Sequence, residues 1–196
     1  DCRFHKAGIL LRGRRPVSYP VHTAGAAASR PPQRRHGSKA PMIPLQDDNP
    51  SRITPIVTYG LIGACVLVYL WQASLTKEAA EEAVYALGLI PAVLFNRAEL
   101  QDAVSVVPPV MTVLTSMFMH GGIAHIGGNM LYLWIFGDNI ENALGHKRYL
   151  LFYLLCGVIA SLSHVFATKL LGQNLLVPSL GASGAISGVL GAYILL

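Results

Sequence analysis

Ser183 lies in the segment Leu180-Gly181-Ala182-Ser183-Gly184-Ala185-Ile186-Ser187-Gly188, between glycines at the head of an apolar run. A serine hydroxyl there is a candidate nucleophile, provided that a base comes within reach. The first N–H groups of a helix have no partner within it, so they can stabilise negative charge developing beside such a serine. Gly181 and Gly184 would let backbone and substrate approach closely. A second cluster, His120, His125 and Asn129, stands at the head of another apolar run. His125 and Asn129 are four positions apart, about 40° around a helix, so both can point into one cavity, while His120 belongs to the preceding loop. Imidazole and carboxamide groups are costly in a bilayer unless paired, which makes them functional candidates. Packing is the alternative for each feature: Gly184, Gly188 and Ala192 form a small-residue stripe suited to close helix contact, and His125 with Asn129 could bond between helices. No metal site is expected, because no Glu follows the first His in metalloprotease spacing and no Cys or carboxylate completes a ligand set.

These residues need helices to position them. Hydrophobic residues make up 53% of the chain and charged residues 13%, with a mean hydropathy of +0.47, against roughly 25% charged in a soluble domain. The apolar residues gather in four runs, Ile53–Ala73, Ile123–Phe136, Tyr149–Leu171 and Ser183–Leu196. The first and third reach the roughly 20 residues of a spanning helix, the second does so by extending to about Asn139, and the fourth is read as cut short. Arg52 precedes the first run, and Lys147 with Arg148 separates the second from the third, which puts both ends in the cytoplasm. The acid-rich stretch between the first two runs, about 74–122, then faces outward and reads as a structured insertion on or in the membrane surface. The second and fourth runs share a direction, so His120, His125, Asn129 and Ser183 converge at the outer face. Asp138 and Glu141 fall at the opposite end, where Glu141 either anchors the loop through Lys147 or Arg148 or remains a solvated charge. His164, beside Ser161 and Ser163 on the third run, is read as hydrogen bonding between helices rather than as a base for Ser183.

Residues 1–41 differ in kind. They hold nine of the 15 Lys and Arg residues, five prolines and the lone acid Asp1, a composition that cannot bury a core. Removing nine cations and one anion turns the formal +5 into −3, so the basic pI gives no reason to expect a nucleic-acid partner. We read 1–41 as a disordered leader joined upstream of a start at Met42, with a transit peptide as the alternative. Residues 42–52 then form a short cytoplasmic segment and 53–196 the membrane domain. Cys2, Cys65 and Cys156 offer no disulfide framework.

At His120, His125 and Asn129, at Glu141-Asn142-Ala143-Leu144-Gly145, and at Gly181-Ala182-Ser183-Gly184, the chain from about Met42 to Leu196 resembles the rhomboid intramembrane serine proteases, particularly the bacterial branch. The resemblance implies an all-α polytopic bundle comprising the first four helices of a six-helix core. It implies an endopeptidase with a Ser–His dyad that cleaves in or beside transmembrane helices of membrane-protein substrates, without metal or cofactor. Ser183 would be the nucleophile, and His125, Asn129 and the Ser183 N–H would bind the oxyanion. His120, Gly181 and Gly184 would be accessory. The family's base is a histidine on the sixth helix, so a chain ending in the fourth is expected to be an inactive fragment. The family's Trp-Arg pair is absent before His120, where Val110-Met111-Thr112-Val113 stands. The expected location is a bacterial plasma membrane, with the N-terminus cytoplasmic. The competing readings are a rhomboid-like protein that binds membrane helices without proteolysis and a transporter piece using His125 and Asn129 as a polar relay.

Overall fold

The computed structural model of the protein describes residues 53–101 and 104–196; the expected leader 1–41 and the segment 42–52 lie outside the described residues. Among the described residues seven α-helices follow in order: α1 (Ile56–Ser74), α2 (Lys77–Leu87), α3 (Pro91–Leu94), α4 (Thr112–Thr115), α5 (Ile123–Leu144), α6 (His146–Leu170) and α7 (Ser183–Ile194). Short 3₁₀ turns flank α4 at Pro109–Met111 and Ser116–Phe118. Among the described residues there is no β-sheet, only an isolated bridge between Leu89 and Ser179.

The four apolar runs become α1, α5, α6 and α7. Helices α1 and α6, of 19 and 25 residues, are long and apolar enough to cross a membrane. Helix α5 qualifies together with Pro109–Phe118, from which it is bent by 79°. The 12-residue α7 is apolar but shorter. Leu67, Leu70, Trp134, Leu151, Leu155 and Ile159 are all exposed on the long helices. An apolar outer surface of this extent suits lipid as solvent, and the protein is an integral membrane helical bundle. Its core joins Leu61 and Cys65 of α1, Ile126, Leu133 and Ile140 of α5, Tyr149 and Tyr153 of α6, and Ala185, Ile186 and Val189 of α7.

Helix directions follow from contacts at the helix ends. Glu141, near the end of α5, accepts hydrogen bonds from the Val57 and Thr58 N–H groups at 2.9 and 2.8 Å and from Thr58 Oγ1 at 2.7 Å. At its other end α1 meets the segment leading into α5, where Gln72 accepts from the His120 N–H and donates to the His120 carbonyl. Thus α1 and α5 are antiparallel. The Glu141 contacts also correct the sequence expectation for that residue. Instead of reaching Lys147 or Arg148 or standing in solvent, Glu141 is fully buried and pairs with His146 Nδ1 at 2.6 Å. The physical reason is at the start of α1, which follows Pro55 and has no side-chain cap of its own. Its unpartnered N–H groups and the positive end of its dipole attract a carboxylate from another helix.

Glu141→Ala strands these donors in a dry site. It is expected to lower unfolding free energy by about 3–5 kcal/mol, measured by reversible denaturation in detergent micelles. An unchanged unfolding midpoint would show that this contact does not hold α1 in place.

The stretch between α1 and α5 is structured, as expected. Thr76 caps α2 by accepting from the Ala79 N–H. Further along, the insertion pairs with the loop that precedes α7. Leu89 and Ser179 exchange two backbone hydrogen bonds at 3.1 and 2.8 Å, the Ala92 N–H donates to the Leu175 carbonyl, and the Gly181 N–H donates to the Ser116 carbonyl at 2.9 Å. Lys169, in the last turn of α6, lies over the Phe95 ring at 4.5 Å. The approach to Ser183 is therefore held by backbone from elsewhere in the chain.

Candidate functional site

Ser183 is the first residue of α7 and is exposed. Ala182 precedes it and no side chain caps the helix, so the leading N–H groups are left without a capping side chain. Ser183 Oγ makes no hydrogen bond to a described residue, while its carbonyl accepts from Ser187 Oγ at 2.8 Å.

Gly181 brings the two clusters together. Its φ of +116° lies in a region that side-chain-bearing residues rarely adopt. A Cβ built there would lie 2.7 Å from His125 Nε2 and 3.7 Å from Asn129 Nδ2. His125 and Asn129 therefore face the same turn, two residues before Ser183, and α5 and α7 start at one end of the bundle, as the shared direction of the two runs predicts.

Hydrogen bonding indicates which atoms are available. His125 Nδ1 accepts from the Gly121 N–H at 3.4 Å, so Nε2, which faces the Gly181 turn, is the ring atom available to donate. Asn129 is 8% exposed, and its buried Nδ2 has no hydrogen-bond partner. His120 is 2% exposed and stacks edge-on with His125, ring centroids 5.2 Å apart. Its Nδ1 meets the Phe118 carbonyl at 3.2 Å, and its buried Nε2 has no partner. Burial is the largest influence on the His120 imidazole and pulls its pKa below the ordinary range, with His125 acting in the same direction against the Phe118 hydrogen bond. Unpartnered buried polar atoms are uncommon and costly in folded proteins, and here two of them lie within one small cluster.

Gly184 faces away from this cluster, with a built Cβ 2.6 Å from Ala160 Cβ. The room left by its missing side chain is filled by α6, in keeping with the small-residue stripe. Gly188 approaches Cys156 in the same way. His164, set apart from Ser183 in the sequence reading, lines a cavity of about 140 Å³ that Ser183 also lines. No hydrogen bond joins the two among the described residues. Sequence reasoning misses Gln72, which grips the His120 backbone, and the Leu89–Ser179 and Ser116–Gly181 contacts, which hold the loop before α7. Gln72 carries a signal in retrospect, as a carboxamide near the end of an otherwise apolar helix.

Among the described residues there is no group of three or more His, Cys, Asp or Glu side chains able to hold a metal ion.

The structure is a helical membrane bundle with two polar clusters at one end, and comparison with known proteins gives its relatives. A family model, the Rhomboid domain, matches residues 108–196. Over 83 residues the chain is 37% identical to Rhomboid protein 1, mitochondrial, of Saccharomyces cerevisiae, covering 42% of this chain and 24% of that protein. It is 44% identical over 82 residues to Rhomboid protease GluP of Bacillus subtilis, covering 41% and 15%. It is 40% identical over 79 residues to the Presenilin-associated rhomboid-like protein, mitochondrial, of Homo sapiens, covering 40% and 20%. The chain thus spans a quarter or less of the length of these relatives. No solved structure gives a significant match. Residues 108–196 of the chain are thus similar to the Rhomboid domain.

Proposed function

We propose that the protein is an intramembrane serine endopeptidase that cleaves peptide bonds in or beside transmembrane helices of membrane-protein substrates. Ser183 is the nucleophile. The N–H groups that open α7, together with His125 Nε2 and Asn129 Nδ2, stabilise the oxyanion of the tetrahedral intermediate. His120 supports His125 from the adjoining segment. The general base is the histidine that the family carries on its sixth helix, outside residues 1–196, and activity belongs to a chain that includes it.

The observation that carries this reading is the Asn129 carboxamide. It is a buried donor without a partner beside the Gly181 turn, and an oxyanion formed at Ser183 would supply the missing acceptor. A non-proteolytic helix-binding protein would have no need of such a donor or of the exposed serine.

Asn129→Ala tests the oxyanion role. A donor aimed at charge that appears only in the transition state acts on kcat more than on KM. Loss of one such donor costs roughly 10²–10³ in a soluble protease. Here the remaining donors share the charge, and a fall of about 10–100-fold in kcat is expected from steady-state cleavage of a transmembrane substrate in proteoliposomes. Unchanged kcat would reduce Asn129 to a packing residue.

The same proposal places the protein in a bacterial plasma membrane, with residues 1–41 absent from the mature chain. The mitochondrial relatives support the alternative of an Arg-rich transit leader. N-terminal sequencing of protein from its host separates them: a mature terminus near Met42 without organelle import fits the first, and processing within the leader on import fits the second.

A further inference from the structure

Gln72 is a buried carboxamide near the end of the apolar helix α1. Both ends of its amide are spent on one residue of another segment: Oε1 accepts from the His120 N–H at 3.1 Å, and Nε2 donates to the His120 carbonyl at 3.3 Å. His120 lies outside any helix, in the bend between Pro109–Phe118 and α5, so no helical ladder supplies partners for these backbone groups. Satisfying them is one role for Gln72. The connectivity beyond His120 gives it a second.

The His120 carbonyl and the Gly121 N–H belong to one peptide group, which is planar and moves as a unit. Its carbonyl accepts from Gln72 Nε2, and its N–H donates to His125 Nδ1 at 3.4 Å. A series of hydrogen bonds therefore runs from α1, through a single peptide plane, to the imidazole. Its far end decides the chemistry of the ring. With Nδ1 occupied as an acceptor, Nε2 is the nitrogen left to donate, and Nε2 faces the Gly181 turn two residues before Ser183. If the peptide plane turned, the Gly121 N–H would leave Nδ1, and the ring could rotate or carry its proton on the other nitrogen. Gly121 and Gly122 follow the plane without side chains to restrict such a turn. The other contact to the His125 ring, the edge-on His120 imidazole, belongs to the residue that Gln72 grips.

We propose that Gln72 is a positioning residue for the oxyanion site: by clamping the His120–Gly121 peptide it holds His125 with Nε2 as the donor toward the oxyanion. The inference rests on the proteolytic reading given above and adds to it a residue of α1 that touches neither Ser183 nor His125. Hydrogen bonds in series polarise one another in a site from which water is excluded. Loosening the first of them leaves His125 in place but averages its orientation and proton position. The loss then falls on charge stabilisation in the transition state, and substrate binding is spared.

The test uses the full-length protein in proteoliposomes, with turnover expressed per Ser183 reactive toward a fluorophosphonate, so that an unfolded fraction is not counted. Gln72→Met, which keeps the length of the side chain and removes both hydrogen bonds, is expected to lower kcat about tenfold with KM unchanged. A double-mutant cycle separates positioning from simple support of the bend. In a His125→Phe background the Gln72→Met change is expected to have no further effect on kcat, because the donor it positions is already gone; support of the fold alone would lower kcat about tenfold again. ¹⁵N NMR of histidine-labelled protein gives a readout that needs no Gln72 variant. The His125 signals, assigned from their loss in His125→Phe, are expected to show Nδ1 without a proton in the wild type, and a mixture of the two ring forms in Gln72→Met. Wild-type kcat in Gln72→Met, additive losses in the cycle, or a proton on His125 Nδ1 in the wild type each overturns the inference. Failure of the proteolytic reading looks different: Ser183→Ala would then cleave the substrate as wild type does.

Discussion

Ser183→Ala in the full-length protein is expected to abolish cleavage of a transmembrane substrate while leaving membrane insertion intact. Ser183 begins an uncapped helix, is exposed, and follows by two residues the turn that faces His125 and Asn129. No second hydroxyl occupies its place, since Ser187 lies one turn further along α7 and is engaged with the Ser183 carbonyl. Loss of the nucleophile costs about 10⁶ in kcat in a soluble serine protease, with the remaining oxyanion donors accounting for residual turnover. A fall of at least about 10⁴ is expected here. Single-turnover assays with purified protein make the measurement, because trace contamination by another protease is then visible against the enzyme concentration. Cleavage by Ser183→Ala at a wild-type rate would remove Ser183 from the mechanism.

The second large effect comes from a single methyl group. Gly181→Ala meets two obstacles together. Its φ of +116° is strained for a residue with a side chain, and the new Cβ would sit 2.7 Å from His125 Nε2 and 2.8 Å from Cε1. The strain alone is worth about 1–3 kcal/mol. The clash is relieved only by moving the imidazole or the turn that leads into Ser183, and misplacement of a catalytic group by about 1 Å costs on the order of 10²-fold. A loss of about 100-fold or more in kcat/KM is therefore expected. Gly63→Ala serves as the control, because a Cβ there meets nothing within 4 Å. Full activity in Gly181→Ala would show that His125 and the turn need not keep their present spacing.

The membrane helices are legible in the sequence because lipid imposes a simple rule: a spanning segment must be long, apolar and internally hydrogen-bonded. Runs of this kind at 53–73 and 149–171 correspond to α1 and α6 within a few residues. The convergence of His125 and Asn129 on the turn before Ser183 is legible for a related reason. Charge bias in the loops sets helix direction, and direction decides which helix ends meet. What the sequence does not disclose depends on partners far apart in the chain. Glu141 looks like a loop charge until α1 supplies two N–H groups and a hydroxyl to it across more than 80 residues. Likewise, no local pattern marks Leu89 as the residue that pairs with Ser179, because backbone hydrogen bonds of this sort carry no side-chain signature. His164 is hidden for a third reason. Its relation to Ser183 depends on the register of α6 against α7, which is set by glycines at 184 and 188 meeting small partners.

Covalent capture of the nucleophile tests the central claim most directly. The full-length wild-type protein, active in proteoliposomes, is treated with a fluorophosphonate, and the adduct is located by mass spectrometry of its peptides. The account predicts a single adduct on Ser183, with loss of proteolysis in proportion to labelling. Proteolysis that continues after complete labelling, or inhibition with the adduct on another residue and Ser183 unmodified, would contradict it.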